Sequence, residues 1–363
     1  MRSLNNRLLV GGFLTILAAP TIANVCRLEP AKDLPERRAL AERPNPARFR
    51  FKELASVAAF ARDWEKFYND HFGLRKLLIG SYRLAVYYLL RTSTNSSVVL
   101  GESDGRSRWF YYEGAMAGDG MGLDGFLGKA PYKAAELAAM TAEFARMSKL
   151  FADNHTKFLV VVCPDKQSVY PEYLPRDLRP RFGTLSRLDQ ISSVAQVVLG
   201  SHYLDLRAVL REAKSEGLVY LHADSHWNAR GAFVGYQAFM RALQQQDPTR
   251  APPVDSDIRW ETSGSVTGDL IVLLGLPMFP GEPGVVPVRP NDHVPSGSRR
   301  GKVLVFHDSF FWAMKPYFDL EFAEVKETTR ANISTHMPIT QAMLTAEKPD
   351  LVIIESVERI WTL

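Results

Sequence analysis

Residues 158–163 read FLVVVC, and the interpretation of this stretch decides the fold. An unbroken apolar run this short fits a strand buried on both faces, as in a parallel sheet covered by helices. Further runs follow at Val303–Phe306 (VLVF), Phe322–Val325 and Leu351–Ile354 (LVII). Helix-spaced apolar positions lie around them, at Ala130–Ala152 and at about 185–199, 228–246 and 336–347. Strands alternating with helices predict an α/β domain with a mostly parallel sheet. Such sheets bind ligands beyond the carboxyl ends of their strands.

Upstream, residues 51–91 carry aromatic and aliphatic side chains at helical spacing, among them Phe60, Trp64, Phe67, Leu77 and Tyr82. Residues 98–112 (VVLGESDGRSRWFYY) predict a hairpin with a glycine-containing turn. Residues 26–50, punctuated by Pro30, Pro35, Pro44 and Pro46, read as a linker. Before them, Arg2 and Arg7 precede an apolar run from Leu8 to Val25. A basic start followed by an apolar core is the pattern of an export signal. It fits cleavage after Ala23 or retention as a single anchor, with Arg2 and Arg7 on the cytoplasmic side. The expected organisation is a signal or anchor at 1–25, the linker, and one enzymatic domain at 51–363. Residues 251–298, rich in Pro and Gly, read as a long loop over one sheet edge.

Composition narrows the function. With 46% hydrophobic and 23% charged residues, the chain fits a globular body with a sizeable core. The 44 basic and 40 acidic residues are interspersed, and no stripe is dense enough to track a phosphate backbone, so nucleic acid is excluded as a partner. Cys26 and Cys163 alone make neither a disulfide framework nor a zinc ribbon. As a nucleophile Cys163 is less suitable than as a small core residue of its strand.

Polar residues cluster where chemistry is expected. Cys163-Pro164-Asp165-Lys166-Gln167-Ser168, His307-Asp308-Ser309 and Glu355-Ser356 follow apolar strands, and His222-Ala223-Asp224-Ser225-His226-Trp227 precedes a helix. A serine in a strand-to-helix turn has its hydroxyl exposed beside unpaired backbone N–H groups, which a nucleophile and its oxyanion require. The bland alternative for Ser309 is a helix cap. Asp224 and His226 are spaced so that the carboxylate orients the imidazole, leaving the other ring nitrogen to deprotonate a serine. They also read as a capping aspartate and a structural histidine. A third reading takes His222, Asp224 and His226 as an H-x-D-x-H metal site, with His202 or His307 as a further ligand.

In order, NDHFGLR (69–75), RWFYYEG (108–114), VVCPDKQSVYPEYLP (161–175), DSHWNARGA (224–232), VLVFHDSFF (303–311) and KPDLVIIESVER (348–359) resemble the AlgX/AlgJ group of SGNH-hydrolase-like polysaccharide O-acetyltransferases. The resemblance implies a three-layer α/β/α fold whose motif order is circularly permuted, the Asp/His pair preceding the serine. It implies Ser309 as nucleophile, His226 as base and Asp224 as its orienting carboxylate, with no cofactor. It places Arg330 and Asn332 where an oxyanion element is found. It further implies a periplasmic location, a polysaccharide acceptor and an acetyl donor supplied by an MBOAT-type membrane acyltransferase. Two positions depart from the pattern. His307 stands where glycine usually precedes Asp-Ser, and Glu355 and Ser356 stand near the usual third-strand asparagine. An esterase using the same triad is the first alternative. The second is a non-catalytic sugar-binding subunit that stacks Trp109–Tyr112 and Phe310–Trp312 on its polymer.

Overall fold

The computed structural model describes residues 2–26, 39–46, 53–114, 122–180, 183–250, 259–276, 279–288, 300–329 and 339–361. Contacts divide the chain into two units, residues 1–94 with 272–279 and residues 95–271 with 280–363. In the smaller unit, helix α1 (Arg2–Val25) contains the span Asn6–Ala23, which has the length and mean hydropathy (1.4) to cross a membrane. Helices α2 (Leu54–Asp70) and α3 (Arg75–Ala85) follow, and a π-helical turn, Val86–Leu90, prolongs α3.

The larger unit opens with an antiparallel hairpin, β1 (Val98–Ser103) and β2 (Arg108–Tyr112). Helices α4 (Gly122–Phe126) and α5 (Ala134–Asp153) lead to β3 (Lys157–Cys163), the strand expected from FLVVVC. Next come α6 (Lys166–Val169), α7 (Arg187–Leu199), β4 (Tyr203–Asp205), α8 (Arg207–Ala213) and α9 (Ala229–Gln246). After β5 (Arg259–Val266), α10 (Asp269–Leu274) and β6 (Glu282–Val288), the chain returns to the main sheet. It does so through β7 (Lys302–His307), α11 (Phe311–Glu321), β8 (Glu324–Thr329), α12 (Gln341–Glu347) and β9 (Leu351–Val357).

The five-stranded sheet runs β4-β3-β9-β7-β8, and all its pairings are parallel. Its central strands are wet on neither side, because alternate residues enter two different cores. Leu159, Val161, Val303, Val305, Leu351 and Ile353 pack with α9 and α11, chiefly through Phe233, Phe239, Phe311 and Phe318. Val160, Val162, Leu304, Phe306, Val352 and Ile354 pack with α5, α7 and α12, through Phe144, Phe151, Ile191 and Leu344. This is the expected three-layer α/β/α arrangement. From β3 the chain steps outward to β4, and from β7 it steps the other way to β8. The switch point between them, filled last by β9, puts the ends of β3, β9 and β7 side by side.

The segment expected to be a long loop at 251–298 instead contains α10 and an antiparallel pair, β5–β6. Most residues of β5 face solvent, so it lacks an apolar period, and Pro283 and Pro287 make β6 read as a breaker. A two-stranded ribbon has free edges where proline's missing N–H does no harm. The edge strand β8 begins two residues later than its apolar signature. Phe322, which drew the boundary forward, is instead buried in the core beside Phe318. Strand β4 is too short to show periodicity.

Candidate active site

The two segments that carry the expected triad are built in different ways. Residues 220–227 form a pinched loop, closed by a bridge between Tyr220 and Trp227. Asn228 ends it. Its side chain caps α9 by accepting from Gly231 N–H at 2.9 Å, and it also donates to the Leu218 carbonyl at 2.8 Å. The loop's backbone groups are then taken up one by one. The buried Lys166 ammonium donates to the carbonyls of Leu221 (3.0 Å) and His222 (2.8 Å). Glu282 accepts from the N–H groups of His222 (3.0 Å) and Ala223 (2.8 Å). Asp269 accepts from Ser225 N–H at 2.7 Å, and Asp224 from His226 N–H at 2.9 Å. Gly268 lies against the loop so closely that an added Cβ would stand 2.0 Å from the Ala223 carbonyl oxygen, so only glycine fits.

Ser309 sits between β7 and α11 in a turn pinned by Asp308. The Asp308 carboxylate accepts from Phe310 N–H (2.9 Å) and from Val357 N–H (2.6 Å), while its own N–H donates to Glu355 at 3.0 Å. Glu355 thus stands where an asparagine was expected and anchors the serine turn to β9. His307 neither crowds the turn nor reaches Ser309. It is buried, its Nδ1 2.6 Å from the Asp308 carbonyl and its ring 4.8 Å from that of Phe311. The Trp227 indole donates to the Phe310 carbonyl at 3.0 Å, tying the two segments together.

These constraints bring His226 Nε2 to 2.8 Å from Ser309 Oγ and His226 Nδ1 to 3.0 Å from Asp224 Oδ1. A proton on Nδ1 held by Asp224 leaves the Nε2 lone pair facing the serine hydroxyl. Ser309 is exposed, and both partners are half-buried. Beside them opens a pocket of about 500 Å³ whose walls include Trp227, Val266, Val285, Val286 and Trp312. Of the aromatic residues expected to meet sugar, Trp109–Tyr112, Phe310 and Phe311 are buried in the core, and Trp312 alone is exposed, at 65%. Arg330 and Asn332 lie outside the described residues.

Residues 103–306 match the family described as "ALGX: SGNH hydrolase-like domain, acetyltransferase AlgX". The chain belongs to this family. The probable alginate O-acetylase AlgJ of Pseudomonas syringae pv. tomato is 26% identical over 250 residues, covering 68% of this chain and 59% of that protein. Its namesake from Pseudomonas putida is 30% identical over 125 residues, or 34% and 32% of the two chains. The chain therefore matches less than two thirds of the length of these curated relatives. Among solved structures, Bacillus cereus PatB1 with a sulfonyl adduct shares the fold at a TM-score of 0.51 and 13% identity, over 73% of this chain and 98% of that one. The O-acetyltransferase domain of Pseudomonas putida AlgJ aligns at 0.47 and 21% identity, over 72% and 91%.

A further carboxylate lies beside the Asp224–His226 pair. Asp269 Oδ2 lies 3.5 Å from His226 Nδ1, and Asp269 also accepts from the Ser225 hydroxyl at 2.5 Å. Burial pulls the imidazole toward its neutral form, but the hydrogen bonds and charges of Asp224 and Asp269 outweigh it and raise His226 to about 9. For Asp269 the same contact works in reverse. Burial raises it, and His226 and Ser225 bring it down to about 2. Sequence reading missed Asp269 because its segment was taken for a loop. The available signal was an acidic residue opening the apolar run Leu270–Leu274, a helix-start pattern.

The imidazole acts as a base only when neutral, so below pH 9 acylation of Ser309 by a small ester should rise about tenfold per pH unit. Asp269→Asn removes a negative charge that favours the imidazolium. The plateau should then be reached at lower pH, displaced by about one unit. A pH profile of kcat/KM that Asp269→Asn leaves in place, or moves upward, refutes this electrostatic role.

The H-x-D-x-H arrangement is not assembled. His222 turns away to sit between two carboxylates, Nε2 at 2.8 Å from Asp104 and Nδ1 at 2.5 Å from Glu282. Burial works against its charge, but these two bonds hold its pKa above the ordinary value. His202 Nδ1 faces the Phe158 carbonyl at 3.1 Å. One atom each from Asp224, His226 and Asp269 lie within 4.8 Å of one another. Those groups are already joined to each other and to the loop backbone by the hydrogen bonds above. His222 serves instead as a clamp, joining the β1–β2 turn, the 220–227 loop and β6.

Proposed function

We propose that this chain transfers acetyl groups to hydroxyls of an exported polysaccharide through an acyl-enzyme on Ser309. The observation that carries the reading is the 2.8 Å contact between His226 Nε2 and Ser309 Oγ, with Nδ1 of the same ring on Asp224. Family membership and the alginate O-acetylase relatives support acetyl as the group transferred and a polysaccharide as its acceptor.

In the first half-reaction Ser309 Oγ attacks the donor carbonyl carbon and gives its proton to His226 Nε2. Asp224 holds Nδ1–H and stabilises the imidazolium. The tetrahedral oxyanion faces the N-terminal N–H groups of α11, whose dipole favours negative charge. Collapse breaks the bond to the leaving group, which takes the proton from Nε2. In the second half a sugar hydroxyl loses its proton to Nε2 as its oxygen attacks the acyl carbonyl. Collapse then breaks the bond to Ser309, which recovers the proton. The exposed Trp312 beside the pocket offers a face on which a sugar ring can stack.

The transfer chemistry is assigned to the enzymatic stretch 51–363, with 1–25 as signal or anchor and 26–50 as linker. The export-type N-terminus and α1 favour the periplasmic side of the inner membrane, where an MBOAT-type partner would deliver the acetyl group. Incubation with an activated acetyl ester, with and without acidic oligosaccharides, tests the assignment. Acetylated sugar formed at the expense of free acetate is expected. Acetate alone, unchanged by any acceptor, means an esterase.

A further inference from the structure

The smaller unit has a face that water alone does not explain. Along α3 and its π-helical continuation, every solvent-exposed residue from 77 to 90 is uncharged. The large ones, Leu77, Leu78, Tyr82, Tyr88, Leu89 and Leu90, are 52–79% exposed. With the exposed Ser81 and Ala85 between them, positions 77, 78, 81, 82, 85, 88 and 89 recur at three- and four-residue intervals and form one stripe along the helix. Gly80, on the opposite side, is buried, and so is Val86 at the edge of the stripe. A helix on the surface of a soluble protein has the reverse arrangement, apolar inward and charged outward. Helix α2, in the same unit, differs in charge: it exposes Arg62, Asp63, Glu65 and Lys66 beside Trp64 and Tyr68.

Charge identifies what covers the stripe. Between Asp70 and Glu102 there is no carboxylate, while Arg75, Lys76 and Arg91 stand at the two ends of the stripe and Arg83 turns inward toward Gly275. A protein partner of mixed surface would require both signs of charge, whereas a bilayer with anionic headgroups requires only cations flanking an apolar face. Tyrosine, apolar in body and polar at its tip, suits the headgroup boundary. The same unit contains α1, with the length and composition to cross a bilayer. We propose that α3 and its π-helical extension lie on an anionic membrane surface, with Leu77, Leu78, Tyr82 and Leu89 inserted at the boundary between headgroups and acyl chains. This contact is additional to any anchoring by α1 and does not depend on the acyl-transfer reading.

The test uses the full chain. Cys163 is buried and Cys26 exposed, so Cys26→Ser combined with Leu78→Cys leaves one accessible thiol for a polarity-sensitive fluorophore. Position 78 is exposed, and the substitution removes no core contact. The labelled chain is mixed with vesicles of phosphatidylcholine alone or with phosphatidylglycerol added, and flotation is measured in parallel. A blue shift with several-fold brighter emission is expected on the anionic vesicles only, weakened by high salt. A label on Arg62→Cys of α2 should remain water-exposed throughout. A chain that floats while the label at 78 stays in water overturns the proposal. So does an equal response to neutral vesicles. A blue shift without lipid that grows with protein concentration shows that a second copy covers the stripe, and this also overturns it. Flotation reports anchoring by α1 separately. A label that enters anionic vesicles while the chain fails to float on neutral ones sinks the anchor and supports the proposal.

Discussion

Ser309→Ala is expected to remove acyl transfer almost completely while leaving the fold intact. The hydroxyl is exposed at the end of β7, and its backbone is held by Asp308 and Glu355, so its loss removes no packing. Unfolding free energy should stay within about 0.5 kcal/mol of the parent. The rate of acetyl release or transfer from an activated ester should fall roughly a thousandfold or more, because water must then attack without a covalent intermediate. His226→Ala should have a comparable effect, and the double variant should be little worse than either. A nucleophile and its base act as one unit, so removing both costs about what removing one costs. Additive losses would point to two separate roles. Polymer acetylation in cells that is unchanged in Ser309→Ala would leave only a binding function. Mass spectrometry gives a further readout, since an acetyl adduct should form on the parent at Ser309 and be absent from the variant.

The parallel sheet was legible because three of its strands announce themselves as unbroken apolar runs, and burial on both faces removes the alternation that would otherwise compete with a helical reading. The three residues proposed as a triad stood out for a related reason. Serine after VLVF and Asp-x-His before a helix occupy strand and helix ends, where the backbone forces polar side chains toward solvent. The supporting groups did not. Asp269 opens the short helix α10 inside a stretch that reads as a loop, and Glu282 begins β6, which Pro283 and Pro287 interrupt, so no periodicity marked them. Asp104 lies in the hairpin turn, more than a hundred residues from the His222 it binds. Contacts of this kind depend on how separate elements meet, which no local pattern encodes. His307 shows the converse. It stands out as a departure from the expected motif, yet the ring is a buried side chain packed on Phe311.

The second large effect concerns Lys166, whose ammonium is fully buried beneath the 220–227 loop, 5.7 Å from the ring centres of Trp109 and Tyr111. Burial lowers its pKa to about 8, against the pull of Asp269, Asp224 and Glu282, which favour the charged form. In an unfolded chain the same lysine titrates near 10.4. Between these values the unfolded state holds a proton that the folded state has released, so stability contributed by this site rises with pH from about 8 to 10. The displacement corresponds to roughly 3 kcal/mol at most. Lys166→Met replaces the ammonium with an apolar chain of similar length and removes the titration. Urea unfolding at pH 7 and pH 10 should therefore show the parent gaining up to about 3 kcal/mol relative to the variant. Identical pH dependence in both proteins would mean that Lys166 is not desolvated as described. Activity should respond differently. The variant leaves the Leu221 carbonyl without its donor and loosens the loop that aims His226, so kcat for a small ester should fall about tenfold or more with KM little changed. Loss of kcat at every pH, together with a stability difference that depends on pH, separates the positioning role of this lysine from a merely structural one.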